Sequence, residues 1–330
     1  MTGDRCGRDP ATPVMGIASW HRPLMCLAAI MAVWAIVSVV GLAADTRTLG
    51  GDPLWAKPLK FAISFGVYAL TLAWMLSLLR RPRLRRFAWW AGTVASAATL
   101  LEAAAISVQV VRGTGSHFNV ATPLDSSFYA LMGGGVVLMY AATVVIGSGL
   151  AFFSTFRDRA LSWGLRLGLL IGLAGLSVGF LMVSPRAQQL AESEPRVLGS
   201  HSVGGEALGG LPLVGWSTVQ GDLRISHFIG MHALQALPLL AILLASLAHE
   251  RLTEGTRLRI TLLVAAEWAS VTVLTLWQAL RGQSVIHPDT PTLVAAGALV
   301  AAGVVAALGI FRHHLRNVPS PATTDQRRRR

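Results

Sequence analysis

The chain has 330 residues, of which 53% are hydrophobic and only 13% are charged. Because soluble domains carry about 25% charged residues, this composition excludes a soluble globular fold and predicts an all-α integral membrane protein. The formal net charge of +12 does not indicate a nucleic-acid partner, since the basic residues lie in short loops and near the C-terminus, where membrane topology explains them.

Long apolar runs along the chain predict about eight transmembrane helices of about 20 residues each. In chain order, these runs are Leu24–Ala43, Phe61–Leu79, Phe87–Val111, Phe128–Phe153, Gly164–Val183, Phe228–Ala248, Ile260–Leu280 and Thr292–Phe311. A signal peptide is the alternative for the first run, because small residues follow it at Ala43 and Ala44. That run is longer than the hydrophobic region of a signal peptide, about 7–15 residues, which favours a retained helix.

Lysine and arginine are distributed unevenly among the segments that connect these runs. The two ends of the chain and the loops after the second, fourth and sixth runs hold 20 of the 28 basic residues, and the alternate loops hold 8. The positive-inside rule therefore predicts that both termini are cytoplasmic and that the alternate loops face outward. The lipid bilayer is the first predicted partner, and residues 312–330 are predicted to form a disordered basic tail.

Three short patterns occur once in each half of the chain at nearly constant separation. They are Thr48–Asp52 with Thr218–Asp222, Lys60–Phe61 with His227–Phe228, and Gln109–Gly113 with Gln278–Gly282, at offsets of 170, 167 and 169 residues. This spacing predicts two tandem four-helix repeats in parallel orientation, residues 24–153 and 154–311, after a cytoplasmic segment of residues 1–23. Chance similarity between glycine- and proline-rich loops is the alternative.

Two acidic residues fall inside the predicted helices, Glu102 in the third and Glu267 in the seventh. A carboxylate at the bilayer centre costs about 2.5–3.5 kcal/mol, so we expect both to face the protein interior. On a regular helix Glu102 shares a face with Gln109, and Glu267 shares one with Gln278. With Arg112 at the outer end of the third run, these residues predict a polar seam that binds a proton, an ion or a small ligand. A single interhelical hydrogen bond at each glutamate is the alternative.

Histidine offers a second kind of site on the side predicted to face outward. His232 lies well inside the sixth run, with Gln235 on the same face of the helix and Pro238 beyond it. A haem or metal ion would need His117 or His227 as a further ligand, because His227 and His232 are about 140° apart on a regular helix. For each histidine taken singly, the alternative is a hydrogen-bonding residue near the membrane surface.

The loops predicted to face outward carry more polar chemistry than the cytoplasmic ones. Lys57 and Lys60, the only lysines in the chain, are three residues apart just before the second run. Asp222 and Arg224 lie shortly before the sixth run, in the long outer loop of residues 184–227. We expect these side chains to form the mouth of an outward-opening site, together with Arg112, His117 and His227. The glycine-rich stretch Gly199–Gly221 then serves as its lid or as a flexible linker.

Three segments resemble those of a bacterial family of uncharacterised multi-span membrane proteins. They are Trp55–Phe61, Gly115–Asn119 and Gly221–Gln235. The resemblance lies in the region of spans and loops and does not include the two ends of the chain. The resemblance implies a multi-pass protein of the bacterial plasma membrane. It implies no activity and supplies no catalytic residue.

Together, the predicted helices, the repeat and the polar residues favour a polytopic protein with a polar site between two helical halves. Such a protein has the features of a proton- or cation-coupled transporter of a small solute. One alternative is a haem- or metal-binding membrane oxidoreductase that uses the outer histidines. Another is an accessory subunit that binds a membrane protein partner and whose polar residues are structural. The sequence contains no GxSxG elbow, no Walker motif and no dinucleotide-binding glycines, so nucleophilic catalysis is not expected.

Overall fold

The computed structural model describes residues 16–205, 210–212, 214–248 and 251–317. After a short 3-10 helix, Ile17–Ser19, the helices are α1 (Arg22–Ala44), α2 (Ala56–Ser77), α3 (Pro82–Val111), α4 (Pro123–Phe153), α5 (Arg159–Val183), α6 (Ala187–Ala191), α7 (Leu223–Leu247), α8 (Glu254–Leu280) and α9 (Thr290–Asn317). Two antiparallel pairs of two-residue strands lie between them: β1 (Thr48–Leu49) with β2 (Asp52–Pro53), and β3 (Ser202–Val203) with β4 (Gly221–Asp222).

Eight of these helices, all except α6, are long and apolar enough to cross a membrane, which confirms the predicted all-α, multi-span class. Each predicted run overlaps one of the eight. The predicted tail begins as helix, because α9 continues to Asn317, and residues 318–330 of that tail lie outside the described residues. We call the side with the loops 45–55, 112–122, 184–222 and 281–289 the outer side, following the charge distribution.

Polar side chains and prolines set the first turns of these helices. Thr122, Asp158, Asp222 and Thr253 each accept a hydrogen bond from a backbone N–H of the turn that follows. Such caps satisfy donors that have no partner inside the helix. Pro82 opens α3, where its missing N–H costs nothing.

The helices pack in the same order in the two halves of the chain. In the first half, α1 packs on α2, α2 on α3, α3 on α4, and α1 on α3. In the second half, α5 packs on α7, α7 on α8, α8 on α9, and α5 on α8. In the first half α2 also packs on α4, a contact whose counterpart, α7 with α9, is not among the main helix contacts of the second half, and α4 packs on α5 between the halves.

The outer ends of α3 and α8 close with the same glutamine hydrogen bond. Gln109 Nε2 donates to the carbonyl oxygen of Gly115 over 3.3 Å, and Gln278 Nε2 donates to that of Ser284 over 2.8 Å. Donor and acceptor are six residues apart in both cases, at the offset of 169 that the sequence pattern gives. The two helix ends therefore close in the same way, and the tandem repeat itself stays a prediction.

In both halves, this turn contains an arginine followed by a glycine. Gly113 and Gly282 have φ of 68° and 72°, in the left-handed region that side chains disfavour. In each half the preceding arginine then pairs with an aspartate at the start of the next helix. The pairs are Arg112 with Asp125 and Arg281 with Asp289.

Glycines along one face of α5 allow α7 to approach closely. A Cβ atom on Gly175 would lie 2.3 Å from the backbone nitrogen of Met231, and one on Gly164 would lie 2.9 Å from the carbonyl oxygen of Leu237. Small residues at such contacts let helix backbones pack tightly in a membrane, where apolar burial gives little drive for association.

We therefore expect Gly175→Ala to lower the stability of the protein by about 1–3 kcal/mol, the usual cost of overpacking. Thermal unfolding of the purified protein in detergent measures the change. Gly133→Ala in α4 is the matched control, because a Cβ atom there would meet nothing within 4 Å. Equal melting temperatures for the two variants would contradict close α5–α7 packing as a source of stability.

Candidate functional site

An amine, an imidazole and a carboxyl group follow one another inward from the outer side of the first half. Lys57 Nζ lies 3.0 Å from His117 Nδ1, and His117 Nε2 lies 3.5 Å from Glu102 Oε1. Lys57 is in the first turn of α2, His117 in the loop between α3 and α4, and Glu102 within α3. We call these three residues the acid–base chain.

The α3–α4 loop is fixed at both sides of His117. Asn119 Nδ2 donates to the carbonyl oxygen of Gly115 over 3.1 Å, and the backbone of Phe118 accepts from the N–H of Leu198 over 2.9 Å. Phe118 has a φ of 63° and is the one non-glycine residue with positive φ in the described part of the chain. Strained backbone of this kind persists only where its surroundings hold it, and it is common at functional sites.

Phe61 packs against both outer members of the acid–base chain. Its ring centroid lies 5.3 Å from that of His117, and Lys57 Nζ lies 5.8 Å from it. The aromatic face attracts the ammonium group and limits rotation of the imidazole. Phe61 therefore helps to keep the amine and the imidazole in line.

Glu102 is the buried end of the acid–base chain. Its residue exposure is 2%, and neither of its carboxyl oxygens has a hydrogen-bond partner among the described residues. Gly135 of α4 leaves room beside it, because a Cβ atom on that glycine would lie 3.5 Å from Oε2. Buried polar groups normally have partners, so an unpartnered carboxyl group at this place calls for an explanation beyond the packing of the helices.

Burial, and then the neighbouring charge of Lys57, lower the pKa of His117 well below its usual value. The imidazole is therefore neutral near pH 7, with one nitrogen as donor and the other as acceptor. From the partners we assign Nδ1 as acceptor from the Lys57 ammonium group and Nε2 as the nitrogen that carries hydrogen towards Glu102. This arrangement suits transfer of a proton between the two ends of the chain.

A second group of charges lies beside the acid–base chain, which we call the outer charge cluster: Lys60, His201, Asp222 and Arg224. Arg224 Nη2 pairs with Asp222 Oδ2 at 2.6 Å, and His201 Nδ1 lies 3.7 Å from Asp222 Oδ1. Burial raises the pKa of Asp222, but hydrogen bonds and charge from Arg224 outweigh it, and the net result is a lowered pKa. The Asp222 side chain is thus ionised near pH 7 and also caps α7.

Burial and the charge of Arg224 lower the pKa of His201 to about 4. Because the unfolded chain takes up this proton near the ordinary histidine pKa of 6.5, it binds more protons than the folded chain between pH 6.5 and about 4. Stability is therefore complete above pH 6.5 and falls as the pH decreases through that window.

We expect the melting temperature in detergent to fall between pH 7 and pH 5, and His201→Gln to reduce that fall. Gln keeps a polar side chain of similar length but takes up no proton. A melting curve of His201→Gln with the same pH dependence as the natural protein would contradict this assignment.

The structure does not bring Glu102 and Glu267 together. α3 packs on α1, α2 and α4, whereas α8 packs on α5, α7 and α9. Glu267 is half-buried against Gly303 of α9, where a Cβ atom would lie 2.8 Å from Oε1. In each half, then, the glutamate of the third spanning helix faces a glycine of the fourth, Gly135 or Gly303. The two carboxyl groups nevertheless lie in different surroundings.

Three other predicted ligands, Gln109, Arg112 and Gln278, hold the turns at the outer helix ends. Gln109 Nε2 donates to Asp125 Oδ1 over 2.8 Å, and Arg112 Nη1 donates to the same oxygen over 2.6 Å. Gln278 has only the turn contact with the backbone of Ser284. These side chains support the loop that carries His117, or its counterpart in the second half, and do not contact the acid–base chain.

The histidines of the metal or haem hypothesis each have a separate partner. His227 Nδ1 lies 2.8 Å from the carbonyl oxygen of Gly175, and His232 Nδ1 lies 3.4 Å from the side-chain amide of Gln235. His117 belongs to the acid–base chain. In the part of the chain that the structure describes, no group of three or more His, Cys, Asp or Glu side chains is placed to hold a metal ion.

Sequence reasoning did not include His201, Phe61 or Gly135 in the site. It placed His117 at the mouth of the site or in a metal centre, and not beside Glu102. The one available signal was that His117 and Phe61 both lie in segments that carry the family resemblance.

Comparisons with known proteins found no matching family model, no similar curated protein and no similar solved structure. The fold alone therefore defines the class, a polytopic helical membrane protein.

Proposed function

We propose that the protein is a proton-coupled transporter of a small solute, and that Glu102 is the group that takes up and releases the coupled proton. The observation that carries this proposal is the Lys57–His117–Glu102 chain, in which successive polar atoms lie 3.0 and 3.5 Å apart. Glu102 lies nine residues before the outer end of α3, or about 14 Å along the helix axis. With the outward-facing loops that the charge distribution predicts, such a chain runs from the outer surface towards the middle of the bilayer.

Ionisable residues at that depth support a functional interpretation because they are costly to insert. Polar and acidic groups within spanning helices commonly line proton pathways in pumps and transporters. Glu102 has no hydrogen-bond partner among the described residues that would account for it as a structural residue. A neutral His117 beside it has the donor and the acceptor that a proton relay requires.

The position of the charges supports a solute site between the two halves. Lys57 of α2 interacts electrostatically with Arg224 of α7, and Lys60 of α2 interacts with both Arg224 and Asp222. Transporters built from repeats commonly bind solute where the repeats meet. The interaction of Lys57 with Arg224 puts the outer end of the acid–base chain beside the proposed solute site.

The test is proton movement in proteoliposomes that enclose a pH-sensitive dye. A panel of anionic, neutral and cationic small solutes is added outside while the membrane potential is held constant. We expect at least one solute class to change the internal pH faster than in empty liposomes. Internal pH traces that match those of empty liposomes for the whole panel would contradict the proposal.

A further inference from the structure

We propose that the solute is a small oxyanion, a carboxylate or phosphate, which binds between Lys60 and Arg224 and enters together with the proton on Glu102. This inference rests on the proposed function and names its substrate class. The observation behind it is that cations from both halves of the chain meet on the backbone oxygens of one loop.

Lys60 and Arg224 donate to two consecutive carbonyl groups. Lys60 Nζ donates to the oxygen of Val214 over 3.1 Å, and Arg224 Nη2 donates to the oxygen of Gly215. Both contacts join a cation to a neutral carbonyl oxygen, and an oxygen that carries negative charge attracts the same cation more strongly. An anion whose oxygens replace these two carbonyl oxygens is therefore held more strongly by Lys60 and Arg224.

The loop reaches these cations only because residue 215 is glycine. Gly215 has a φ of 67°, and a Cβ atom there would lie 2.9 Å from Asp52 Oδ2 and 3.5 Å from Lys60 Nζ. Next to it the chain is tied down at Ser217, whose N–H donates to Asp222 Oδ2 over 2.9 Å and whose carbonyl accepts from Ser284 Oγ over 3.0 Å. An anion displaces the two carbonyl contacts and leaves the anchor at Ser217 in place.

Charge balance favours an anion over a cation at this place. Among the residues that the structure describes, the charged side chains that interact with one another here are four cations and three carboxylates. The cations are Lys57, Lys60, Arg186 and Arg224, and the carboxylates are Asp52, Glu102 and Asp222. Neutral His117 and His201 add no charge near pH 7. A bound cation would meet an excess of positive charge, whereas an anion reduces it.

The same charge balance couples binding of the anion to binding of a proton by Glu102. A proton on Glu102 removes one carboxylate and increases the positive excess, so it strengthens anion binding, and by reciprocity the anion strengthens proton binding. Around Glu102, α2 contributes Lys57, the α3–α4 loop contributes His117, and α4 contributes Gly135. The titratable residues of α1, Arg22 and Cys26, lie in its first turns at the opposite end.

Calorimetric titration of the purified protein in detergent tests this inference, with sodium acetate and inorganic phosphate as probes at constant ionic strength. We expect at least one probe to bind, and to bind more tightly at about pH 6 than at about pH 8. Lys60→Gln is expected to weaken binding by about tenfold or more, whereas Lys60→Arg keeps it. Arg281→Gln is the matched control, because Arg281 pairs with Asp289 on the outer side, apart from these charges.

Absence of binding by both probes, or equal affinity in Lys60→Gln and the natural protein, would overturn the inference. Binding that does not depend on pH would overturn its coupling to the proton. The measurement needs no membrane and no gradient, so it is independent of the transport assay. Proton-coupled uptake of a neutral or cationic solute without anion binding would leave the proposed function standing and remove only this inference.

Discussion

Replacement of Glu102 by Gln is expected to reduce proton movement in proteoliposomes to the level of empty liposomes. The amide has nearly the same shape as the carboxyl group but takes up no proton near neutral pH. Because neither carboxyl oxygen has a hydrogen-bond partner among the described residues, the amide breaks no hydrogen bond there. We therefore expect the folded protein to remain and the proton step to be lost.

Glu267→Gln supplies the matched control for this variant. It makes the same chemical change in the third spanning helix of the other half, where the carboxyl group lies against Gly303 and apart from the acid–base chain. We expect Glu267→Gln to retain proton movement, with both variants melting close to the natural protein. Full proton movement in Glu102→Gln would remove Glu102 from the mechanism. Loss in both variants would instead support the sequence-based expectation that the two glutamates act together.

The spanning helices could be predicted from the sequence because their signal is local. A run of about 20 apolar residues is sufficient to cross the hydrocarbon region, whatever its neighbours are. The helix ends were less accurate: α2 begins at Ala56, so that Lys57 and Lys60 belong to its first turns rather than to the loop before it. Residues three apart lie on one side of a helix, so both lysines can face the same site.

The acid–base chain could not be predicted, because it depends on the path of a loop. The left-handed residue Phe118 and the contact of that loop with Leu198 place His117 between Lys57 and Glu102. No spacing in the sequence specifies that path. Helical periodicity correctly relates positions on one helix, but it does not say which helix a face meets.

Gln109 and Gln278 also show what helical periodicity cannot predict. Helical spacing put Gln109 on the face of Glu102, which led to its prediction as a ligand. In the structure its amide instead bonds to Gly115 and Asp125 at the end of α3. Carbonyl groups beyond a helix end need partners, and the nearest polar side chain supplies one. The repeat of this bond at Gln278 indicates that structural use of the amide is common to both halves.

Replacement of His117 by Gln tests the middle of the acid–base chain. Gln offers a donor and an acceptor at similar reach, so it can keep contact with Lys57, but it does not pass a proton on. Loss of a positioned acid–base group typically costs 10²–10⁴-fold in rate, and we expect a decrease of about 10²-fold or more in proton movement. The melting temperature should change little, because Gln, like the neutral imidazole, carries no charge and can keep the contact with Lys57.

His287→Gln is the control for that variant, because His287 lies at nearly the matching place in the second half and is exposed on the outer side. It should leave proton movement unchanged. Normal proton movement in His117→Gln would mean that protons reach Glu102 by a path that does not include the imidazole.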